Sequence, residues 1–496
     1  MSRLNLSELC ADTFGWFADQ VDVPVYDRRA LVPSVVHIGV GGFHRAHQAL
    51  YLDELAGRGE TGWGLVGVGL RRPEMGQVLQ AQDGLFTVVE RDASGDRARV
   101  IGSMVEYLYA PEDPEAVLRR LADRRTRLVT LTVTGNGYAV DGDELDDSDD
   151  GVRHDLAHPG VPTTMVGFLV EALRRRRRSG AGPFTVLSCD NLPDSGAAAR
   201  TAVTRFAARV DPDLERWIDE HVSFPASMVD RITPETSPAV RDEVEGAFGV
   251  PDRWPVVTEP FRQWVIEDRF CNGRPPLEQV GVRFVDDVAP YKLVKARLLN
   301  GGHCALGYLG SLRGCRTSDD AMADPLVGPL IEQLLRTEVL PQLPQVDGLD
   351  LDEYLAATLS RFSNPAIGDQ LSRLARRGSV KMPSYVLPSL HDAIAQGRPH
   401  ELLLLVVAAW VRYLRGTDLA GGELVVEDPR AEALQALVRH GGGDPRPLLG
   451  MRSVFGRLGD DERVVQRVQD LVRLLDEGGI EAALEACRPR PVPTAA

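Results

Sequence analysis

The chain has 496 residues, 43% of them hydrophobic and 26% charged, enough to bury a large core and to build two or three domains. Its net charge of −16 argues against nucleic acid or an anionic membrane surface as a partner. No apolar run reaches the roughly 18 residues that a membrane-spanning helix requires.

The six cysteines, Cys10, Cys189, Cys271, Cys304, Cys315 and Cys487, include no C-x-x-C pair. The start "MSRLNLSELCADTF" has no basic segment leading into an apolar run. The expectation is a cytoplasmic protein with reduced thiols, no zinc framework and no other metal.

From residue 33 onward, short apolar runs alternate with helical patterns. "SVVHIGV" reads as a strand and "AHQALYLDELAGRG" as a helix. "GWGLVGVGL" reads as the next strand. "LFTVVERD" and "RVIGSMVEYLY" are richer in β-branched residues and are expected to be antiparallel. "AVLRRLADRR" is a helix, "RLVTLTVT" a strand, "TMVGFLVEALRRRRR" a helix and "FTVLSCD" a strand. Such alternation predicts an open, mostly parallel sheet with helices on both faces. The arginine run Arg174–Arg178 is expected to be a solvated helix end, where cations are favourable.

Beyond about residue 286 the periodicity is helical throughout, as in "PLVGPLIEQLLRTEVLPQL" and "ELLLLVVAAWVRYLR". The expected division is therefore an α/β domain over residues 1–285 and an all-α domain over 286–496.

The first strand runs into "GVGGFHRAHQ". Gly39 and Gly41 take the first two places of G-x-G-x-x-G, and His44 stands at the third. The first glycine permits a tight turn, and the second lets a pyrophosphate approach the following helix. The candidate cradle is Ile38, Gly39, Val40, Gly41, Gly42, Phe43, His44 and Arg45, with a purely structural βα turn as the alternative. A histidine at the third place predicts a looser contact between helix and strand. The second strand ends "GVGLRRPEM", without an acid at its tip to hold a ribose. Arg71 and Arg72 could pair with a 2′-phosphate, whereas Glu74 could disfavour one. NAD is expected, with NADP left open. Asn136, in "TVTGNGY", and the stretch "SCDNLP" both follow strands and so point to the carboxyl edge of the sheet.

A helix near the domain junction, "YKLVKARLLNGGH", carries Lys295, Asn300 and His303 among leucines. At about 100° per residue from Lys295, His303 falls near 80° and Asn300 near 140°, one broad polar face. Gly301 and Gly302 suit a place where something approaches the backbone closely. With no zinc ligand cluster in the sequence, Lys295 is the candidate general base for hydride transfer from an alcohol, provided burial and nearby charge lower its pKa. Lys292 could supply such charge. Asn191 and Asn300 could donate to the developing oxyanion, and His303 could orient a hydroxyl.

These stretches, with "AQDGLFTVVER", "MVDRITP", "TEPFRQWVIED" and "RFSNPAIGDQLSRLARRGSVKMP", resemble the long-chain mannitol dehydrogenase family of polyol-specific enzymes over nearly the whole chain. The set Lys295, Asn300, His303 matches the family's K-x-x-x-x-N-x-x-H signature. The resemblance implies a Rossmann-type domain followed by a helical domain, zinc-independent catalysis by a lysine base, and asparagines Asn191 and Asn300 at the oxyanion. It implies that Arg373 and Lys381 help hold the polyol, together with Asp230 in "MVDRITP". It favours NAD and implies a monomer that oxidises a sugar alcohol to a ketose, with D-mannitol to D-fructose foremost. Fructuronate reduction and D-arabinitol oxidation are the alternatives within the family. A catalytically silent nucleotide sensor is disfavoured, because a sensor need not keep a base. In two places this sequence departs from the family. Lys292 stands where an acid often precedes the lysine, which bears on proton relay. The "TGNGY" stretch stands where the family often has T-E-x-G-Y, which bears on a cofactor contact.

Overall fold

The computed structural model describes residues 9–488; the first eight residues of the stretch read for a leader lie outside them. The chain divides into two compact units, Met1–Val288 and Ala289–Ala496.

In the first unit, strands Pro33–Ile38, Gly64–Gly69, Met104–Tyr109, Leu128–Leu131 and Thr185–Ser188 form one parallel sheet. Numbered in chain order among themselves, they lie 3-2-1-4-5, the order of a Rossmann sheet as far as its fifth strand. Successive side chains point to opposite faces of the sheet. Val36, Ile38, Val66, Val68, Val129 and Leu131 pack with Phe168, Leu169 and Phe206. Val35, Leu65, Leu128 and Leu187 pack with Leu50, Leu55, Leu79 and Trp264 on the other side. Helices thus cover both faces, which is why these strands read as near-continuous apolar runs.

The stretch "RVIGSMVEYLY" is two strands rather than one. Gly95–Ile101 pairs antiparallel with Phe86–Asp92, as expected, but Met104–Tyr109 joins the parallel sheet as an edge strand. The chain passes from one sheet to the other at Gly102 and Ser103, where the Ser103 carbonyl already accepts from the Leu65 N–H of the parallel sheet at 2.9 Å. Gly102 donates its N–H to Asp53 at 2.8 Å and Ser103 its hydroxyl to the Ala49 carbonyl at 2.7 Å.

The arginine run also differs from expectation. Arg176 is fully buried, stacks over Phe184 and donates to backbone carbonyls that include Gly182 at 2.6 Å and Leu121 at 3.1 Å. Burial pushes its pKa down to about 10. Its neighbours Arg174 and Arg175 pair with Glu171, and Arg175 also pairs with Glu115. Only part of the run is a solvated helix end.

The second unit is helical, with apolar helices such as Gly301–Arg313 and Glu401–Tyr413 at its centre. Three segments depart from the α period: Lys295–Asn300, Leu335–Val339 and Met382–Val386 are π turns, and the first packs against the other two. Among the described residues no helix is long and apolar enough to cross a membrane.

Candidate functional site

At the carboxyl edge of the parallel sheet lies a cleft of about 530 Å³. Gly39, Val40, Gly41, Gly42 and Arg45 line one wall, Gly69 to Arg72 a second, and Thr132 to Thr134 with Asn136 and Gly137 a third. The position is the crevice where the strand order reverses, the usual ligand site in such sheets. Gly39 turns at φ +100°, and a Cβ there would sit 2.3 Å from the Thr132 carbonyl oxygen. At Gly41 a Cβ would meet nothing nearer than the Gly39 oxygen at 3.9 Å. Its backbone therefore faces open space, as a cradle for a pyrophosphate must. Arg71, Arg72 and Glu74 are exposed, but only the two arginines line the cleft.

Three residues of the expected cradle do not line the cleft. Ile38 is a fully buried strand residue. Phe43 stacks on His47, with ring centroids 5.0 Å apart. His44 turns inward and stacks on His37 with centroids 3.4 Å apart and planes 9° apart. The contact between helix and strand is thus filled by a pair of imidazoles rather than loosened. The helix after the loop is also interrupted. Gly42–Ala46 and Gln48–Gly57 are separate segments, broken at His47. Arg45 lines the cleft yet is buried. It lies over Phe86 and donates to the Trp254 carbonyl, and burial pushes its pKa down to about 10.

Burial holds His37 and His47 neutral, pushing both pKa values down to about 3. His44 is pushed well down as well, first by burial and then by His37, Arg45 and His47. The unfolded chain takes up protons that these folded imidazoles refuse, so stability should fall as pH drops below their ordinary value. The expected loss is roughly 2 kcal/mol each for His37 and His47 by about pH 5. Asp53 opposes this in part: its pKa, raised by burial to about 6, favours the folded state as pH falls through that value. Urea midpoints at neutral pH and near pH 5 measure the net drop. His47→Gln should shrink it, and an equal drop in both proteins would contradict this account.

One residue that sequence reasoning missed organises the third wall. Asp190 is 8% exposed. It accepts from the backbone N–H of Thr134 at 2.8 Å and of Val133 at 3.1 Å, and from the Tyr138 hydroxyl at 2.7 Å. Thr134 stands at φ 65°, ψ 165°, a region held almost entirely by glycine and costing other residues of order 1–3 kcal/mol. Asn136 follows it, exposed at the rim. Asn191, next to Asp190, is exposed at the carboxyl end of Thr185–Ser188. Asp230 ends the strand Ser227–Asp230 and is buried at 2% exposure.

In the second unit, Lys295 and Asn300 are the first and last residues of the π turn. A π turn bonds residue i to i+5, as Gly301 N–H does to the Ala296 carbonyl. Residues five apart therefore come to one side, and the α-helical phase expected for Asn300 does not apply. Lys295 is 8% exposed. The two glycines after the turn serve close packing inside the unit. A Cβ at Gly301 would lie 3.0 Å from the Tyr385 carbonyl oxygen, and one at Gly302 would lie 2.9 Å from the Phe362 ring. Phe362 in turn packs on the His303 ring at 4.6 Å.

His303 gathers the remaining expected residues. Its pKa is pushed well below the ordinary value, first by burial and then by the positive charges of Arg373, Arg361, Lys381 and Lys295. Its Nε2 is buried and finds no hydrogen-bond partner within the protein. A neutral imidazole with an unmet ring nitrogen suits a ligand hydroxyl. Arg373 is paired with Asp369, and Lys381 donates to the carbonyls of Arg373 at 3.2 Å and Leu374 at 2.9 Å. Arg361 was missed, because a single arginine within a helical pattern reads as surface charge; it is 8% exposed.

Residues 33–279 match the model of the mannitol dehydrogenase Rossmann domain, and residues 287–475 that of the mannitol dehydrogenase C-terminal domain. The chain belongs to the mannitol dehydrogenase family. A mannitol 2-dehydrogenase of Emericella nidulans is 44% identical over 473 residues, 93% of this chain and 94% of that one. Mannitol dehydrogenase 2 of Saccharomyces cerevisiae is 42% identical over 489 residues, 97% of each. Among solved structures, the Pseudomonas fluorescens mannitol 2-dehydrogenase ternary complex with NAD and D-mannitol is 42% identical. Its TM-score is 0.86, covering 97% of this chain and 99% of that one. A D-sorbitol dehydrogenase in substrate-free form is 36% identical with a TM-score of 0.89, covering 96% and 99%. Like these, this mannitol dehydrogenase family member pairs a Rossmann-type unit with a helical one.

Proposed function

We propose that this enzyme oxidises D-mannitol at C2 to D-fructose with NAD, and catalyses the reverse reduction. The observation that carries the reading is the full-length likeness to a mannitol 2-dehydrogenase solved with NAD and D-mannitol. The open backbone at Gly41, set in the cleft at the sheet's switch point, fits a dinucleotide. Bound there, the nicotinamide supplies a hydride acceptor. Lys295 takes the proton from the C2 hydroxyl as general base. Asn191 and Asn300 donate amide N–H groups to the oxygen as it becomes a carbonyl. His303 uses its unmet Nε2 to orient a hydroxyl. Arg373 and Lys381 hold the polyol with the donors that their internal partners leave over, and Asp230 is assigned to the same task.

A single working chain in the cytoplasm is part of this reading. The single chain is supported by how few large apolar side chains are strongly exposed among the described residues: Trp16, Val25, Val32, Val161, Val380 and Val425.

A substrate panel tests the proposal: D-mannitol, D-sorbitol and D-arabinitol in oxidation, D-fructose and D-fructuronate in reduction, each with both dinucleotides. D-Mannitol with NAD should give the highest kcat/KM among the oxidations, and fructuronate should be reduced poorly. A preference for fructuronate would move the enzyme to the hexuronate branch. Efficiency with NADP more than about tenfold above NAD, some 1.4 kcal/mol, would overturn the cofactor assignment. Arg71→Ala should lower whatever NADP use exists and spare NAD.

A further inference from the structure

We propose that Asp190 is a positioning residue that clamps Thr134 in a glycine-like backbone conformation and so shapes one wall of the dinucleotide cleft. The inference rests on the cofactor reading above. Thr132, Val133, Thr134, Asn136 and Gly137 line the cleft, and the conformation of Thr134 sets the course of the chain through them. Nothing in a threonine favours φ 65°, ψ 165°; an outside restraint has to hold it there.

The Asp190 carboxylate is that restraint. It reaches across 56 residues of sequence to take the Thr134 N–H, and across 57 to take that of Val133. The Tyr138 hydroxyl closes the far end of the same loop on Asp190, and also meets the Ser188 hydroxyl at 2.5 Å. Three donors from the loop thus converge on two carboxylate oxygens, both of which must accept. An asparagine would keep one acceptor oxygen and turn an N–H₂ toward a donor. Without the clamp, Thr134 would relax to negative φ and carry Asn136 away from its place at the rim. A glycine at residue 134 would pay no such strain, so it should make the clamp dispensable.

The test is fluorescence titration of the full-length enzyme with NADH in four forms: wild type, Asp190→Asn, Thr134→Gly, and the double variant. Asp190→Asn should weaken NADH binding roughly ten- to hundredfold. The double variant should return to within a few-fold of Thr134→Gly alone. A role in folding alone predicts no such rescue. Wild-type affinity in Asp190→Asn, or a double variant as weak as Asp190→Asn, would overturn the inference. Should Asp190→Asn not fold, Thr134→Pro replaces it, since proline fixes φ near −65° and removes the N–H. That variant should lose NADH affinity, and unchanged affinity would overturn the proposal. If the wild type does not bind NADH, the cofactor reading fails and this inference with it. If the wild type binds and only the rescue fails, the cofactor reading stands and the clamp falls.

Discussion

Lys295→Ala is expected to lower turnover by roughly 10²- to 10⁴-fold while NADH affinity stays within a few-fold of wild type. The side chain is 8% exposed and lies in the π turn, among the charges that act on His303. Its removal takes away the proposed proton acceptor but leaves the dinucleotide cleft untouched, because the described residues that line that cleft all belong to the first unit. The split between turnover and cofactor affinity is the informative readout. Near-normal turnover in the variant would dismiss Lys295 as the base. So would a wild-type enzyme silenced by a chelator, which would point to a metal activating the alcohol instead.

Gly41→Val is expected to fold with little loss of stability and to bind NADH at least about tenfold more weakly, some 1.4 kcal/mol. A Cβ at Gly41 has free room, so the valine itself is tolerated. Its methyl groups then occupy space in the cleft that a pyrophosphate would need. Gly39→Ala should behave oppositely. There the new Cβ meets the Thr132 carbonyl oxygen at 2.3 Å and the backbone sits at φ +100°, so the first effect is on the melting temperature. Titration calorimetry and thermal melting separate the two. Unchanged NADH affinity in a folded Gly41→Val enzyme would contradict the placement of the pyrophosphate.

Features that depend on local chemistry were legible in the sequence. The turn at Gly39 needs a positive φ that glycine supplies, and the parallel strands announce themselves as apolar runs because both faces are covered. Features that depend on distant contacts were not. "RVIGSMVEYLY" is rich in β-branched and aromatic residues on both sides of Gly102 and Ser103, and only the change of pairing partner across them shows that one strand ends there and another begins. The π turn at Lys295–Asn300 has no compositional mark, so a wheel drawn at the α period misplaces Asn300 relative to Lys295. His44 sits at a glycine position, yet its partner His37 lies in the preceding strand, where a histidine in an apolar run carries no hint of stacking. Asp190 lies in "SCDNLP", but its importance comes from a backbone strain 56 residues away. The resemblance to a family supplied the roles of Arg373, Lys381 and Asp230, which spacing alone could not have told apart from charges facing solvent.

The most direct test of the central claim is product identity with D-mannitol and NAD as the only reactants, following NADH by absorbance and the sugar by chromatography. D-Fructose should form in equal amount to NADH, since hydride leaves C2. Formation of D-mannose would place the oxidation at C1, and the absence of NADH formation would remove mannitol as the substrate; either result would contradict oxidation of D-mannitol at C2.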